Sequence, residues 1–113
     1  MNKYGAKKIK DPATGYVFDS KKEFIRWCEL RILERSGKIT DLKRQVKYVL
    51  LPSQCGSNGK VLERECSYIA DFVYFDFTLG KQVVEDCKGY RTEAYKLKKK
   101  MLLYFHGIQI KET

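Results

Sequence analysis

A chain of 113 residues with 43% hydrophobic side chains is sized for a single domain, 1–113, with a core of its own. Its 23 Lys and Arg against 14 Asp and Glu give a net charge of +9, which favours a polyanionic partner, DNA or RNA, over an acidic membrane surface. No apolar run reaches the length of a membrane span, and MNKYGAKKIK at the start lacks the hydrophobic segment of a signal peptide, so a cytoplasmic protein without a membrane partner is expected.

Residues 1–8 read as a basic mobile arm carrying Lys7 and Lys8. Ile9-Lys10 and Tyr16-Val17-Phe18 flank DPATG, a Pro/Gly loop of hairpin type. S-K-K-E at 20–23 predicts a helix over 20–36, with Ser20 at the N-cap, Glu23 as its capping-box partner and Gly37 as the stop. Phe24, Trp27, Cys28, Ile32 and Leu33 supply the apolar content of that helix. Residues 39–51 read as a strand, PSQCGSNGK as a loop, and 61–78 as a long returning strand. Within the return, YIADFVYF is apolar on both faces, the pattern of a central strand covered on both sides. TLGK turns the chain into a third strand, 82–88. Thr92 caps a second helix over 93–106, which Gly107 ends. Ala94, Leu97, Met101, Tyr104 and Phe105 share one face of it, with Lys96, Lys99 and Lys100 on or near the other. IQI at 108–110 reads as a last short strand. The order helix-strand-strand-strand-helix-strand predicts an α/β fold, a mixed sheet sandwiched by helices.

The four cysteines, Cys28, Cys55, Cys66 and Cys87, form no C-x-x-C pair, and His106 lies far from them, which argues against zinc. A Cys55–Cys66 bridge across a hairpin is geometrically feasible, but a reducing cytosol makes free thiols the default.

VVEDCKG at 83–89 carries two acids and a lysine straight after two valines, although unpaired charge is costly inside a sheet. Strand alternation puts Asp86 and Lys88 on a face with Val84, Glu85 on the other with Val83 and Cys87, and Asp71 between Ile69 and Val73. The short TLGK turn makes the two strands antiparallel neighbours and brings Asp71 and Asp86 close on one side. Two carboxylates about 4 Å apart repel by roughly 4 kcal/mol at an effective dielectric near 20. A divalent cation removes that penalty, and two carboxylates plus waters and phosphate oxygens are the usual setting of Mg²⁺. Lys88 beside it could act on an attacking water. The plainer alternative pairs Asp71 with Lys88 at a sheet edge and leaves Asp86 solvated at a strand end; Glu85 reads as a solvated or paired side chain.

ADF at 70–72 followed by VVEDCKG, within the wider spelling FDSKKE…LE…Q…YIADF…VVEDCKG…Y, resembles the PD-(D/E)xK nuclease superfamily, and within it a small phage and prophage family. It is similar as well to transposon-end endonucleases and Holliday-junction resolvases. The resemblance implies a restriction-endonuclease-like core across about residues 18–111, and a DNA endonuclease that uses Mg²⁺, with Mn²⁺ as a substitute, and no small-molecule cofactor. By position it makes Asp71 and Asp86 metal ligands together with the Cys87 carbonyl, Glu23 a further acid from the first helix, Lys88 the residue that acts on the nucleophile, and Gln45 a strand glutamine of the site. Arg91, Lys96, Lys98, Lys99 and Lys100, with Lys7 and Lys8, would bind nucleic acid. The chain departs from the pattern at Ala70 and Val46, where relatives carry proline, and at Asp86, where Glu is commoner. Cutting both strands of a duplex or junction implies a homodimer. The rival readings are a catalytically silent nucleic-acid-binding module and a nuclease subunit of a larger recombination or packaging complex.

Overall fold

The computed structural model describes residues 8–87 and 91–113. The expectations resting on Lys7 and Lys88 lie outside the described residues, as does most of the arm at 1–8. Strands β1 (Ile9–Lys10) and β2 (Val17–Phe18) pair antiparallel across the DPATG loop. Ser20 then takes an extended backbone, and its side-chain oxygen accepts the Glu23 N–H at 3.2 Å, opening α1 (Lys21–Arg35). Ser36 closes that helix, and Gly37 leaves it at φ 79°, a conformation glycine adopts without steric cost.

β3 (Ile39–Leu51) follows with the bounds the sequence predicts. The return is not one strand. β4 (Gln54–Cys55) and β5 (Val61–Glu63) form a small hairpin of their own, and β6 (Cys66–Asp76) begins after a break. β7 (Lys81–Asp86) comes back antiparallel to β6, α2 (Glu93–His106) crosses over, and β8 (Lys111–Glu112) runs parallel to β7. The main sheet has the order β3-β6-β7-β8, so the fold is α/β with a mixed sheet. The last strand falls at 111–112 rather than at 108–110 because Ile110 is buried and Ile108 packs on the core under α2. All four cysteines are free thiols.

Two cores form, one against each helix. Phe18, Trp27, Leu30, Ile39, Phe72, Tyr74, Val83 and Cys87 pack with α1. Leu50, Tyr68, Ala70, Val73, Val84, Tyr95, Leu102 and Ile110 pack with α2. Fully burying a side chain such as Phe18, Phe72, Leu30 or Leu102 stabilises by about 1.5–3 kcal/mol. α1 buries only part of its apolar content, and the buried face of α2 differs from the sequence reading. In α1, Leu30 turns inward while Cys28 and Ile32 face out. In α2, Tyr95 and Leu102 face the sheet, Met101 only partly, and Leu97, Tyr104 and Phe105 are exposed. Tyr95 fixes that rotation, because its hydroxyl donates to Glu112 at 2.7 Å and its ring packs near Tyr68.

Simple alternation fails in the middle of the sheet. Tyr68 and Ala70 belong to the α2 core, whereas Phe72 and Tyr74, of the same parity, belong to the α1 core. On β3, Leu42 packs with α1 while Val46 and Tyr48 pack with α2. The change falls at the Gln45 and Asp71 level, between the pairs Arg44↔Phe72 and Val46↔Ala70. Gln45 sits there at φ 55°, and Asp41 at φ 56° marks a bulge earlier in the strand. The expected company of Asp71 with Ile69 and Val73 is therefore corrected: Ile69 is half exposed and Val73 is buried. A left-handed residue rotates the chain, and the neighbouring strand follows it.

Glu85 is fully buried and paired. Arg26 donates from Nε at 2.8 Å and from Nη2 at 2.7 Å, and the Tyr74 hydroxyl donates to the same carboxylate. Burial works against the Glu85 charge, but the Arg26 fork and the Tyr74 hydroxyl outweigh it and hold the carboxyl below its ordinary value. β3 is one edge of the main sheet, and side chains from both helices reach its main chain. Glu34 accepts the Leu42 N–H at 3.3 Å, and the His106 ring lies 2.7 Å from the Val49 carbonyl oxygen.

These features generate three predictions. A carboxyl held low in the folded chain adds stability above its unfolded value near 4.5 and loses it as pH falls through the folded value. Glu112, lowered to about 2 chiefly by the Tyr95 hydroxyl, behaves the same way. Thermal unfolding should show stability declining from about pH 4.5 towards about pH 2, and Glu112→Gln should flatten that decline; an unchanged slope in the variant would discard the assignment. Arg26→Met leaves a buried charge without its partner and should cost about 3–5 kcal/mol at neutral pH. Separately, Gln45→Val should lose about 1–2 kcal/mol more than Gln45→Gly, since both remove the bond to Glu23 and only the first sharpens the left-handed penalty. Equal losses in denaturant titration would argue against that backbone conformation.

Candidate functional site

The end of β7 collects the acids that the sequence singles out. Asp86 is its last residue, with Cys87 directly after. Asp71 comes from the point on β6 where alternation breaks, and Glu23 from the first turn of α1. All three carboxylates are buried, Glu23 at 5%, Asp71 at 4% and Asp86 at 0% exposure, a degree rarely tolerated without compensation.

Each carboxylate has a specific support. Asp71 Oδ2 accepts the Cys87 N–H at 2.7 Å, tying β6 to the chain just past β7. Asp86 Oδ2 accepts the Tyr68 hydroxyl at 2.7 Å, and its main-chain oxygen accepts the Thr113 N–H at 3.0 Å. Gln45 Nε2 donates to Glu23 Oε1 at 3.4 Å, and Arg44 Nη2 stands 3.8 Å from the same oxygen. Glu23 is thus both the N3 residue of the helix cap and a partner of the strained strand residue. Burial, then the bond to Asp86, pushes the Tyr68 hydroxyl far up, and the negative charge of Asp71 adds to the effect. Tyr68 therefore stays a proton donor to Asp86.

Burial also raises the Cys87 thiol, aided by the charges of Asp71 and Glu23. A neutral buried thiol is a poor ligand for a hard cation, so Cys87 can contribute only its main-chain oxygen to such a site. The oxygens available suit Mg²⁺ in number: two aspartates and a carbonyl, with the rest left to waters and substrate. They do not make a cage of side chains, since among the described residues no three or more His, Cys, Asp or Glu stand close enough to hold a metal ion. An open hollow of about 460 Å³ borders the site, with Lys21, Lys22, Arg26, Cys87 and Thr113 in its wall.

The basic residues that the sequence reading assigns to nucleic acid lie elsewhere. Lys96, Lys99 and Lys100 line a second hollow of about 330 Å³ beside Leu103, Ile108 and Ile110. Lys96 is paired with Glu93, while Lys99 and Arg91 share Glu112. Lys98 is half-buried, and Lys8 and Lys100 are exposed. Tyr68 and Arg44 are the site neighbours that sequence reasoning missed. Regular alternation placed Tyr68 opposite Asp71, and only the break in alternation undoes that; Arg44 carries no signal beyond its position next to Gln45.

Among the described residues, no helix is long and apolar enough to cross a membrane. No curated protein and no solved structure matches the chain. Residues 1–112 match the family described as a protein of unknown function, DUF1064. With that match spanning nearly the whole length, the chain belongs to the DUF1064 family.

Proposed function

We propose that the protein is a Mg²⁺-dependent DNA endonuclease of the PD-(D/E)xK type, with a restriction-endonuclease-like core, hydrolysing phosphodiester bonds. The observation that carries this reading is the gathering of Glu23, Asp71 and Asp86, all buried, around Cys87 in a chain of net charge +9. A basic protein that concentrates buried acids at one strand end has reason to bring a cation and a polyanion together there. Asp71, Asp86 and the Cys87 carbonyl would hold Mg²⁺, and Mn²⁺ in its place. The ion supplies positive charge at the phosphoryl group and a more acidic attacking water.

The protein's own groups do the positioning. Tyr68 holds one oxygen of Asp86 and leaves its carboxylate oriented. The Cys87 N–H does the same for Asp71. Gln45 steadies Glu23, which acts from the helix side. Lys88 next in sequence would act on the nucleophile, and Arg91, Lys96, Lys98, Lys99 and Lys100, with the basic arm, would bind phosphates. Two copies of the chain would serve the two strands of a duplex or a branched DNA, in a cytoplasmic setting.

A second reading draws on a specific observation. One oxygen of Asp71 and one of Asp86 are already engaged by protein donors, and no three-residue metal group forms among the described residues. That arrangement suits a module that keeps the fold and binds nucleic acid without cutting it.

Cleavage separates the two readings. Purified protein should cut DNA from a panel of duplex, fork, flap and four-way junction with Mg²⁺ or Mn²⁺, and stop in chelator. Asp71→Asn and Asp86→Asn should each lower the rate at least about a hundredfold with little change in Tm. Lys88→Ala should lower the rate by a similar factor while sparing metal affinity. Tight binding with no cleavage in either metal would make the silent module the better reading, and cleavage that survives Asp86→Asn would point to a contaminant.

A further inference from the structure

We propose that Lys21 and Lys22 hold the sugar–phosphate backbone of a nucleic-acid strand in the hollow beside Cys87, so that the strand approaches the candidate site over the first turn of α1. The proposal deepens the nuclease reading and rests on it for the identity of the polyanion.

The hollow of about 460 Å³ takes Lys21, Lys22 and Ile25 from α1 and Cys87 from just past β7. Ligand sites commonly enclose roughly 300–1,000 Å³. On its outer side this one is open to solvent, with Lys21, Lys22 and Ile25 all exposed. On its inner side it reaches the candidate site. The Cys87 thiol lies 3.9 Å from the Lys22 carbonyl oxygen, and the Cys87 N–H is the donor to Asp71. Glu23, the acid that α1 brings to the site, directly follows the two lysines in sequence.

The charges around the hollow are unequally committed. Arg26 is engaged by Glu85 at 2.7 Å and by Glu29 at 2.9 Å. Among the described residues, neither Lys21 nor Lys22 is in a salt bridge. On α2 the position is reversed. Lys96 and Lys99 are paired with Glu93 and Glu112, and the hollow they line includes none of Glu23, Asp71, Asp86 or Cys87. The first turn of a helix is also a poor place for two lysines, because the helix dipole favours acids there and cations at the far end. Local rules of this kind are broken mostly where function requires it. A phosphate brought towards Glu23, Asp71 and Asp86 meets carboxylates, and two uncommitted ammonium groups on the approach offset part of that repulsion. The half-exposed Ile25 and the lysine stems add an apolar wall, which suits a sugar ring joined to the phosphate better than a free anion.

The full chain is bound to a short DNA duplex and to a four-way junction in chelator, and separately exposed to inorganic phosphate. Lysine acetylation read by mass spectrometry reports which ammonium groups become covered. Lys21 and Lys22 should lose reactivity as the DNA saturates. Lys21→Gln combined with Lys22→Gln should weaken DNA binding roughly tenfold and lower the slope of log K against log salt by about two, one for each phosphate contact. Lys21→Arg combined with Lys22→Arg should keep the slope. Two lysines that stay fully reactive at saturating DNA overturn the proposal, as does an unchanged slope in the Gln pair. Protection by inorganic phosphate without protection by DNA overturns it too, since the anion is then not nucleic acid. Protection by DNA in a protein that cuts nothing in Mg²⁺ or Mn²⁺ supports this proposal and removes the nuclease reading. Cleavage with both lysines still reactive removes this proposal alone.

Discussion

The left-handed backbone of Gln45 is the constraint on which the remaining geometry depends. Below it, β3 and β6 turn Leu42 and Phe72 towards α1; above it, they turn Val46, Tyr48, Tyr68 and Ala70 towards α2. One long hairpin can then serve both layers, and two helices suffice to cover a sheet whose longest strand has 13 residues. Without the rotation, the row from Tyr68 to Tyr74 would lie under a single helix, and the opposite side of half the hairpin would need another element. Asp71 lies opposite the rotated residue, which brings its carboxylate to the main chain of Cys87 rather than into either core.

The buried acids of β7 and its surroundings are then of two kinds. Glu85 has a guanidinium of its own, and the Arg26–Glu85–Tyr74 group ties α1 to two strands of the sheet. The supports described for Asp71 and Asp86 are an N–H and a phenol, neutral donors that orient a carboxylate without cancelling its charge. The Arg26 fork, in contrast, sets a full positive charge against the Glu85 carboxylate. The adjacent residues 85 and 86 thus bond on different sides of the sheet, Glu85 with Arg26 and Tyr74 and Asp86 with Tyr68.

Much of this was legible in the sequence where the local code is strong. The S-K-K-E cap, the bounds of β3 and α2, the Gly107 stop and the doubly covered strand at YIADFVYF all rest on propensities or patterns that tertiary contacts did not override. The small β4–β5 hairpin was hidden because Val61, Leu62 and Glu63 look like a continuation of the following strand. The buried face of α2 was misread for a different reason. Its exposed stripe is the more apolar one, and the inward side is chosen by Tyr95, whose hydroxyl needs Glu112. For the candidate site, strand parity singles out Asp71 and Asp86, the resemblance adds Glu23, Gln45 and Cys87, and the structure brings Glu23 to Gln45 and Asp71 to Cys87. Tyr68 and Arg44 stayed invisible because their placement depends on a φ angle that no glycine announces.

The two side chains that reach the main chain of β3, Glu34 from α1 and His106 from α2, bear on how that edge of the sheet is guarded. An uncovered strand of this length is a template on which another chain can add, the first step of sheet-to-sheet aggregation. Here the Leu42 N–H and the Val49 carbonyl are occupied from opposite helices, and the backbone between them is bent by Asp41 and Gln45. The guard is shared, so it holds only while both helices are docked. Losing the last turn of α2 would uncover the Val49 end of the template and leave the Leu42 end guarded by α1.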